Sequence, residues 1–232
     1  MNTIKKYQIL LPILLLSIGF YSCDKLPLQK NPGYETALYD NQLHMSVWDF
    51  MHSRQDLFSG LIRAVNYVSQ FPEHQDVVDL YSQSSGNTFL LLTDNALINR
   101  DLTTSWFSQH PLLDEDPESL TYGQIVPGQD WSQYDVDDVA ELLRYHVLKG
   151  THDYTTINAT PKWVDTHALS DTGKVYIFLS NDRTGSLLLN QYDSSPTLNV
   201  VPRTPDLHAT NAVVQVMDTW LRQPTREDIQ DN

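Results

Sequence analysis

The stretch NTFLLLTDNAL, residues 87–97, decides the fold of this chain. Its apolar run from Phe89 to Leu92 is bounded by Gly86 on one side and by turn-forming residues on the other, which is typical of a buried strand. Asp94 can accept hydrogen bonds from backbone N–H groups in the following turn, so we expect a short helix at residues 95–99. The stretch therefore predicts a buried strand that turns directly into a helix, with a structural rather than a catalytic role for the carboxylate.

Two amphipathic helices are predicted before this strand. Apolar residues recur at helical spacing from Leu38 to Met51 and again from Leu57 to Val68. Asp56 is a candidate N-cap for the second helix, and Pro72 prevents much continuation beyond it. Both helices are expected to pack against the strand.

The clearest helix pattern covers residues 135–149, with Asp135 as the N-cap and Gly150 as the C-terminal stop. The last third of the chain is rich in short β-forming runs separated by turn clusters: KVYIFLS (174–180), GSLLLNQY (185–192), TLNVV (197–201) and NAVVQVMDTWL (211–221). We therefore expect an α+β fold with a mostly antiparallel sheet.

A long insert is predicted at about residues 100–134. It is irregular, contains several prolines, and carries the acidic run DEDPES at residues 114–119. Its aromatic residues are candidate ligand-binding rings: Trp106, Phe107, Tyr122, Trp131 and Tyr134. Exposed rings could stack on sugar faces, whereas buried rings would pack the insert onto the domain, which is the more common role of aromatic side chains.

Three stretches, in this order, resemble the fasciclin-like domain family. NTFLLLTDNAL resembles its first signature, LLRYHVLKG (142–150) its central Tyr-His helix, and LHATNAVVQVMDTWL (207–221) its closing strand. The resemblance implies helices packed on a β-wedge and a role in adhesion. It also implies that Tyr145 and His146 form a pair that gives structural support or, as in some animal members, takes part in adhesion.

The chain departs from the family pattern at three positions. Leu92 stands where proline is usual, and Ala212 and Gln215 replace the usual glycine and histidine. The fold is expected to tolerate these changes, because Ala212 needs only a negative φ and Gln215 keeps its hydrogen-bonding capacity.

Cys23, the only cysteine, follows a basic start and an apolar run from Ile9 to Phe20. As a helix this run spans about 18 Å, short of a ~30 Å hydrocarbon core, which favours a lipoprotein export signal over a transmembrane anchor. Acylation of Cys23, for example with palmitate, would tether the mature chain to the bacterial envelope. The outer membrane is the expected location, with the domain on either of its faces. A cleaved secretory signal with an incidental cysteine is the alternative.

The charge balance and the residue patterns argue against several function classes. With 29 acidic against 15 basic side chains and no basic cluster in the mature part, nucleic acid is a poor partner. No disulfide or thiolate metal site is available beyond Cys23, and neither the histidines nor DEDPES match a zinc or calcium motif. The sequence contains no nucleophile elbow and no phosphate-binding loop. We therefore expect that the protein is not an enzyme and that it binds no cofactor and no metal ion.

The predicted organisation is a signal peptide at 1–22, a tether at 23–35, a fasciclin-like domain at 36–224 and an acidic tail at 225–232. We expect a lipid-anchored binding or adhesion protein of the envelope or cell surface. The alternatives are an accessory glycan-binding component of an outer-membrane polysaccharide-uptake system, or a carbohydrate-processing enzyme with facing carboxylates. The corresponding partners are the membrane through Cys23, an extracellular protein or glycan, and an outer-membrane transporter complex.

Overall fold

Short helices and strands alternate along residues 40–196 and 200–231, the part of the chain that the computed structural model describes. The α-helices are α1 (Val47–Ser53), α2 (Gln55–Val68), α3 (Gln75–Gln83), α4 (Asp94–Leu97), α5 (Trp106–Gln109), α6 (Val136–Tyr145) and α7 (Arg226–Asp231). The strands are β1 (Asn87–Leu92), β2 (Leu112–Leu113), β3 (Ile125–Val126), β4 (Val147–Leu148), β5 (Lys162–Asp165), β6 (Lys174–Leu179), β7 (Leu187–Leu189), β8 (Thr204–His208) and β9 (Ala212–Met217). Short 3-10 turns lie at Pro72–His74 and Trp131–Gln133.

The central sheet has the strand order β4-β1-β9-β8. β1 and β9 run parallel, in register from Asn87 opposite Ala212 to Leu92 opposite Met217, whereas β4 and β8 pair antiparallel with their neighbours. Every residue of β1 and β9 is buried, which explains why both read as continuous apolar runs. Each of the three stretches that resemble the fasciclin-like family thus contributes a strand to this sheet, and these strands are neighbours.

A second sheet, β5-β6-β7, and the β2-β3 hairpin of the insert are antiparallel throughout. The predicted α+β class with mostly antiparallel pairing is confirmed. The parallel β1-β9 pair at the centre was not predicted, since β-propensity and alternation do not specify a strand's partner.

Helix α2 is the main packing element, in contact with α1, α3, α4 and α6. It is kinked at Phe58, whose φ and ψ are −118° and 17°. The kink frees the backbone N–H of Gly60, which donates a 2.6 Å hydrogen bond to the Asp94 carboxylate at the start of α4. Asp94 therefore caps a neighbouring helix, consistent with the structural role predicted for it, although its partner lies outside its own turn.

Helix α6 is joined to α3 by a buried arginine. The Arg144 guanidinium makes two hydrogen bonds with Asp76, of 2.8 and 2.7 Å, and a third of 3.2 Å to Nδ1 of His74. A buried guanidinium needs such partners, because an unpaired charge in the core would be strongly destabilising.

The first predicted helix is wrong over most of its length. Helix α1 begins only at Val47, because Ser46 adopts an extended conformation and its side chain accepts a hydrogen bond from the backbone N–H of Asp49. Gln42, which lies within the predicted helix, instead forms a bridge with His208. Leu38, the predicted start of this helix, lies outside the described residues.

Other boundaries also differ from the sequence-based predictions. Arg54, not Asp56, occupies the N-cap position of α2, and Asp56 lies in its first turn. Helix α3 was not predicted at all. The insert, predicted as irregular, contains α5 and the β2-β3 hairpin, and helix α7 lies in the segment predicted as an acidic tail.

The predicted helix at residues 135–149 begins as expected but ends early. Asp135 is the N-cap and accepts a hydrogen bond of 2.8 Å from the backbone N–H of Asp137. The helix ends at Tyr145 rather than near Gly150, because Val147 and Leu148 pair with β1. The strong β-propensity of the Val-Leu pair and the sheet edge beside it override the helical pattern.

The described residues from Asn41 onwards form one compact unit. Within its described part, no helix is long and apolar enough to cross a membrane. The predicted signal peptide, Cys23 and the tether lie outside the described residues.

Candidate binding cleft

A cleft of about 640 Å³ opens where the insert, helix α6 and the segment after β9 meet. Its volume lies within the range of small-ligand sites. Its walls are formed by Trp106, His110, Pro111, Leu112, Gln133, Tyr134, Asp135, Asp138, Glu141, Leu142, Tyr145, Trp220, Leu221 and Gln223.

The wall on the insert side rests on a cluster of buried rings. Ring centroids lie 4.6 Å apart for Trp106 and Tyr134, and 4.8 Å apart for Phe107 and Trp131. The indole N–H of Trp131 donates a 2.9 Å hydrogen bond to the carbonyl oxygen of Gly60. Four of the five candidate ligand-binding aromatics are therefore buried together, and Trp131 joins this cluster to α2.

Only part of this cluster reaches the cleft. Trp106 and Tyr134 contribute to its wall, whereas Phe107 and Trp131 do not. Tyr122 is exposed, away from the cleft in the loop of the β2-β3 hairpin. The five rings thus do not form one stacking surface for a sugar.

A short row of rings continues from this cluster along the cleft. The His110 ring stacks on Trp106 with centroids 4.2 Å apart, and Trp220 lies 5.3 Å beyond it. The Arg222 guanidinium is 5.5 Å from the Trp220 ring centroid, a cation–π contact. Nδ1 of His110 lies 2.8 Å from the Trp106 carbonyl oxygen, so Nδ1 donates and Nε2 remains an acceptor in the neutral ring.

Helix α6 and its N-cap residue supply the acidic wall, with Asp135, Asp138 and Glu141 at steps of three residues. Glu141 accepts hydrogen bonds from the backbone N–H groups of Leu169 and Ser170. Asp138 is exposed, and among the described residues it makes no hydrogen bond or ion pair through its carboxylate. The described lining contains these three carboxylates and no lysine or arginine, so its ionised carboxylates offer only hydrogen-bond acceptors.

Tyr145 and His146 hold the third wall of the cleft. The buried His146 ring lies 2.8 Å from the Leu142 carbonyl oxygen through Nδ1, and its Nε2 accepts a 2.9 Å hydrogen bond from the backbone N–H of Leu221. Burial lowers the pKa of this imidazole to about 4, because the charged form would lose its hydration. The ring is therefore neutral at pH 7, with the proton on Nδ1.

The Tyr145 hydroxyl contacts the segment after β9 at Arg222, one residue beyond the Leu221 contact of His146. It lies 3.0 Å from the Lys174 carbonyl oxygen and 3.1 Å from that of Arg222, and it accepts a 2.9 Å hydrogen bond from the Asn190 amide. Burial raises the pKa of this hydroxyl. Both residues of the pair are buried, and the contacts of both are within the domain, although Tyr145 also borders the cleft.

The departures from the family pattern are accommodated as anticipated. Ala212 begins β9 and is not among the described residues with positive φ. The Gln215 side-chain oxygen accepts a 2.9 Å hydrogen bond from the backbone N–H of Asp206. Asp206 itself adopts a left-handed conformation with φ of 59°.

Sequence reasoning missed Trp220 and the acidic face of α6 as parts of one site. They lie far apart in the chain, and only the packing of the segment after β9 against α6 brings them together. A carboxylate at every third position of a predicted helix was the one available signal. Nowhere in the described residues, the cleft included, do three His, Cys, Asp or Glu side chains converge in a way that could hold a metal ion.

No protein-family model matches the chain, and no curated protein matches it. Among solved structures, the chain is similar to a FAS1 domain pair from the insect cell adhesion molecule fasciclin I, with 14% sequence identity and a TM-score of 0.42. The match covers 75% of this chain and 50% of that chain, so this chain spans about half the length of that structure.

Proposed function

We propose that this chain is a lipid-anchored binding domain of the bacterial envelope that acts by adhesion and does not catalyse a reaction. The observation that carries the proposal is the cleft beside α6, with aromatic side chains on one wall and an unpaired carboxylate, Asp138, on the other. The anchor is the sequence-based part of the proposal and rests on Cys23 and the short apolar run before it.

The ligand that best suits this cleft is a saccharide unit of an extracellular glycan. Its hydroxyl groups would donate to Asp138 and to Nε2 of His110, and its C–H groups would lie against the apolar edges of Trp106 and Tyr134. Tethering through Cys23 would raise the local concentration of such sites and allow several weak contacts to act together.

A panel of purified glycans, titrated against the purified chain by calorimetry, tests this proposal. We expect Asp138→Asn to weaken binding of the responding glycan by about tenfold, the loss of one charge-assisted hydrogen bond. Asp137→Asn is the control, because it removes the same charge from the same helical turn outside the cleft lining. Its amide oxygen can still accept from Nε2 of His74, which lies 3.1 Å from the Asp137 carboxylate. Equal affinities for both variants would place the ligand elsewhere.

The same titration separates binding from catalysis. We expect the glycan to be recovered intact, whereas product formation that is lost in Glu141→Gln or Asp138→Asn would identify a carbohydrate-processing enzyme. A role in polysaccharide uptake would need, in addition, a transporter complex that co-purifies with the chain.

A further inference from the structure

The β2-β3 hairpin of the insert has one apolar face turned to the domain and another turned to solvent. Leu112 and Val126 are cross-strand partners, and Leu112 packs against the core. Leu113 and Ile125 are the next pair, so their side chains share the opposite face. These two residues are 56% and 72% exposed.

Exposed hydrophobic side chains are concentrated at this hairpin. Of the eight large hydrophobic side chains that are exposed in the described residues, four lie between positions 113 and 125. The other two of these four are Leu120, which is fully exposed, and Tyr122. Single exposed hydrophobic residues are ordinary, but a cluster of them marks an interaction surface. We call the exposed side chains of Leu113, Leu120, Tyr122 and Ile125 the hairpin surface.

The loop that carries this surface is held open by its own hydrogen bonds. The Asp114 carboxylate accepts from the hydroxyl groups of Ser119 and Thr121, at 2.6 and 2.5 Å. The backbone N–H of Gly123 donates to the Asp114 carbonyl oxygen at 2.8 Å. The loop thus keeps its apolar side chains in solvent before any partner arrives, which lowers the entropy lost on binding.

The rim of the hairpin surface is acidic. Residues 113–125 carry four carboxylates and no lysine or arginine. Asp114 is used within the loop, whereas Glu115 and Glu118 form no ion pair within the described residues. This charge repels anionic lipid headgroups and suits a basic protein surface.

A cavity beside the hairpin could receive a side chain of that partner. It measures about 430 Å³, and its walls include Leu113, Glu115, Asp116 and Pro127. An arginine or lysine side chain would place its apolar stem along Leu113 and Pro127 and its charge near the carboxylates.

We propose that the hairpin surface is the docking site for a second protein, whose facing surface is apolar at its centre and carries lysine or arginine at its rim. This interaction goes beyond glycan binding in the cleft, because the residues of the hairpin surface lie outside the cleft lining.

Photo-crosslinking in intact cells of the source organism tests the proposal with the full chain. Leu120 is replaced by the photo-reactive residue p-benzoylphenylalanine, and in a control strain Leu169, which is 76% exposed outside the insert, is replaced instead. We expect position 120, and not position 169, to form an adduct with one other protein, at a peptide flanked by lysine or arginine.

Charge reversal provides the second arm of the test. Glu115→Lys combined with Glu118→Lys should reduce the adduct by about tenfold, because the rim would then repel a basic partner. Asp138→Asn should leave it unchanged, and the charge-reversed chain should still bind the glycan. Adducts to lipid, adducts to a second copy of this chain, equal adducts from both positions, or an adduct that survives charge reversal would each overturn the proposal.

Discussion

The backbone N–H of Leu221 donates a 2.9 Å hydrogen bond to Nε2 of His146, and this contact fixes a wall of the cleft. Nδ1 of the same ring lies 2.8 Å from the Leu142 carbonyl oxygen, so both ring nitrogens are satisfied only in the neutral form. In the protonated ring Nε2 would also carry a hydrogen, and this N–H would face the N–H of Leu221, so the hydrogen bond would be lost. The contact is therefore sensitive to acid.

Stability is expected to fall as the pH drops below 6.5. Because the pKa of His146 is about 4 in the folded chain and 6.5 ordinarily, the unfolded chain binds the proton first. The contribution is fully present above pH 6.5 and is lost as the pH falls towards 4, by at most ~3.5 kcal/mol at ~1.4 kcal/mol per pKa unit. Urea unfolding at pH 7.5 and 4.5 measures it.

His146→Gln should lose less stability between these two pH values than the natural chain, although it starts from a lower value. The burial of His152 and His167 lowers their pKa values too, so some acid sensitivity remains in the variant. Tyr145→Phe is the control, since it disturbs the same segment without removing the imidazole. Equal losses in His146→Gln and the natural chain would refute the assignment.

Removing the Tyr145 hydroxyl should destabilise the fold. Tyr145→Phe removes the hydroxyl that lies 3.0 Å from the Lys174 carbonyl oxygen and accepts from the Asn190 amide, whereas the Arg222 carbonyl oxygen still accepts a 2.9 Å hydrogen bond from that amide. We expect a decrease of about 1–3 kcal/mol in the free energy of unfolding. Tyr122→Phe, at an exposed tyrosine, should change it by less than about 0.5 kcal/mol. Equal effects in a denaturant titration would count against a structural role for Tyr145.

Asp94, at the start of α4, is expected to stabilise the kink in α2. Its carboxylate accepts from the Gly60 N–H at 2.6 Å and from the Ser59 hydroxyl at 2.5 Å. Asp94→Ala should lower the free energy of unfolding by about 1–2 kcal/mol, and Asp94→Asn by less, because an amide oxygen can still accept. If Asp94→Asn abolished glycan binding and left stability unchanged, the residue would belong to a site instead.

Gly128 is required for the packing of the insert. A Cβ atom at this position would lie 2.4 Å from the Tyr134 hydroxyl oxygen and 2.7 Å from its ring carbon Cζ. Gly128→Ala should displace Tyr134 from the buried rings, cost about 1–3 kcal/mol, and shift the tryptophan fluorescence. Gly123→Ala provides the comparison, since φ there is +76° but the space around it is open. It should strain the backbone without changing the fluorescence.

The features that the sequence predicted well are local ones. The strand after Gly86 and the helix start at Asp135 follow from apolar runs and capping residues within a few positions. The pairing of β1 with β9 does not. The Thr93 hydroxyl donates a 2.6 Å hydrogen bond to the Asp218 carboxylate, although 125 positions separate the two residues. Strand propensity and residue spacing are local properties, so they cannot predict a contact between residues so far apart in the chain.

The candidate site shows the same division. Trp106 and Tyr134 were singled out by composition, and both reach the cleft, but the burial of Phe107 and Trp131 depends on how the insert folds back on α2. The role of His146 depends on a backbone N–H at Leu221, which no motif reveals. At Ser46 the local signal was present but was not used. The helical spacing of apolar residues continues on both sides of Ser46, yet the helix begins only after it, because its side chain caps the helix.

Attachment of intact cells to a glycan-coated surface tests the central claim, that a tethered domain binds through its cleft, most directly. Cells that display the natural chain should attach. Cells with Asp138→Asn should retain the protein but lose most of their attachment, whereas Asp137→Asn cells should attach normally. Cys23→Ser cells should release the protein and not attach. If Asp138→Asn cells attach as well as those with the natural chain, the cleft is not the binding site and the account is contradicted.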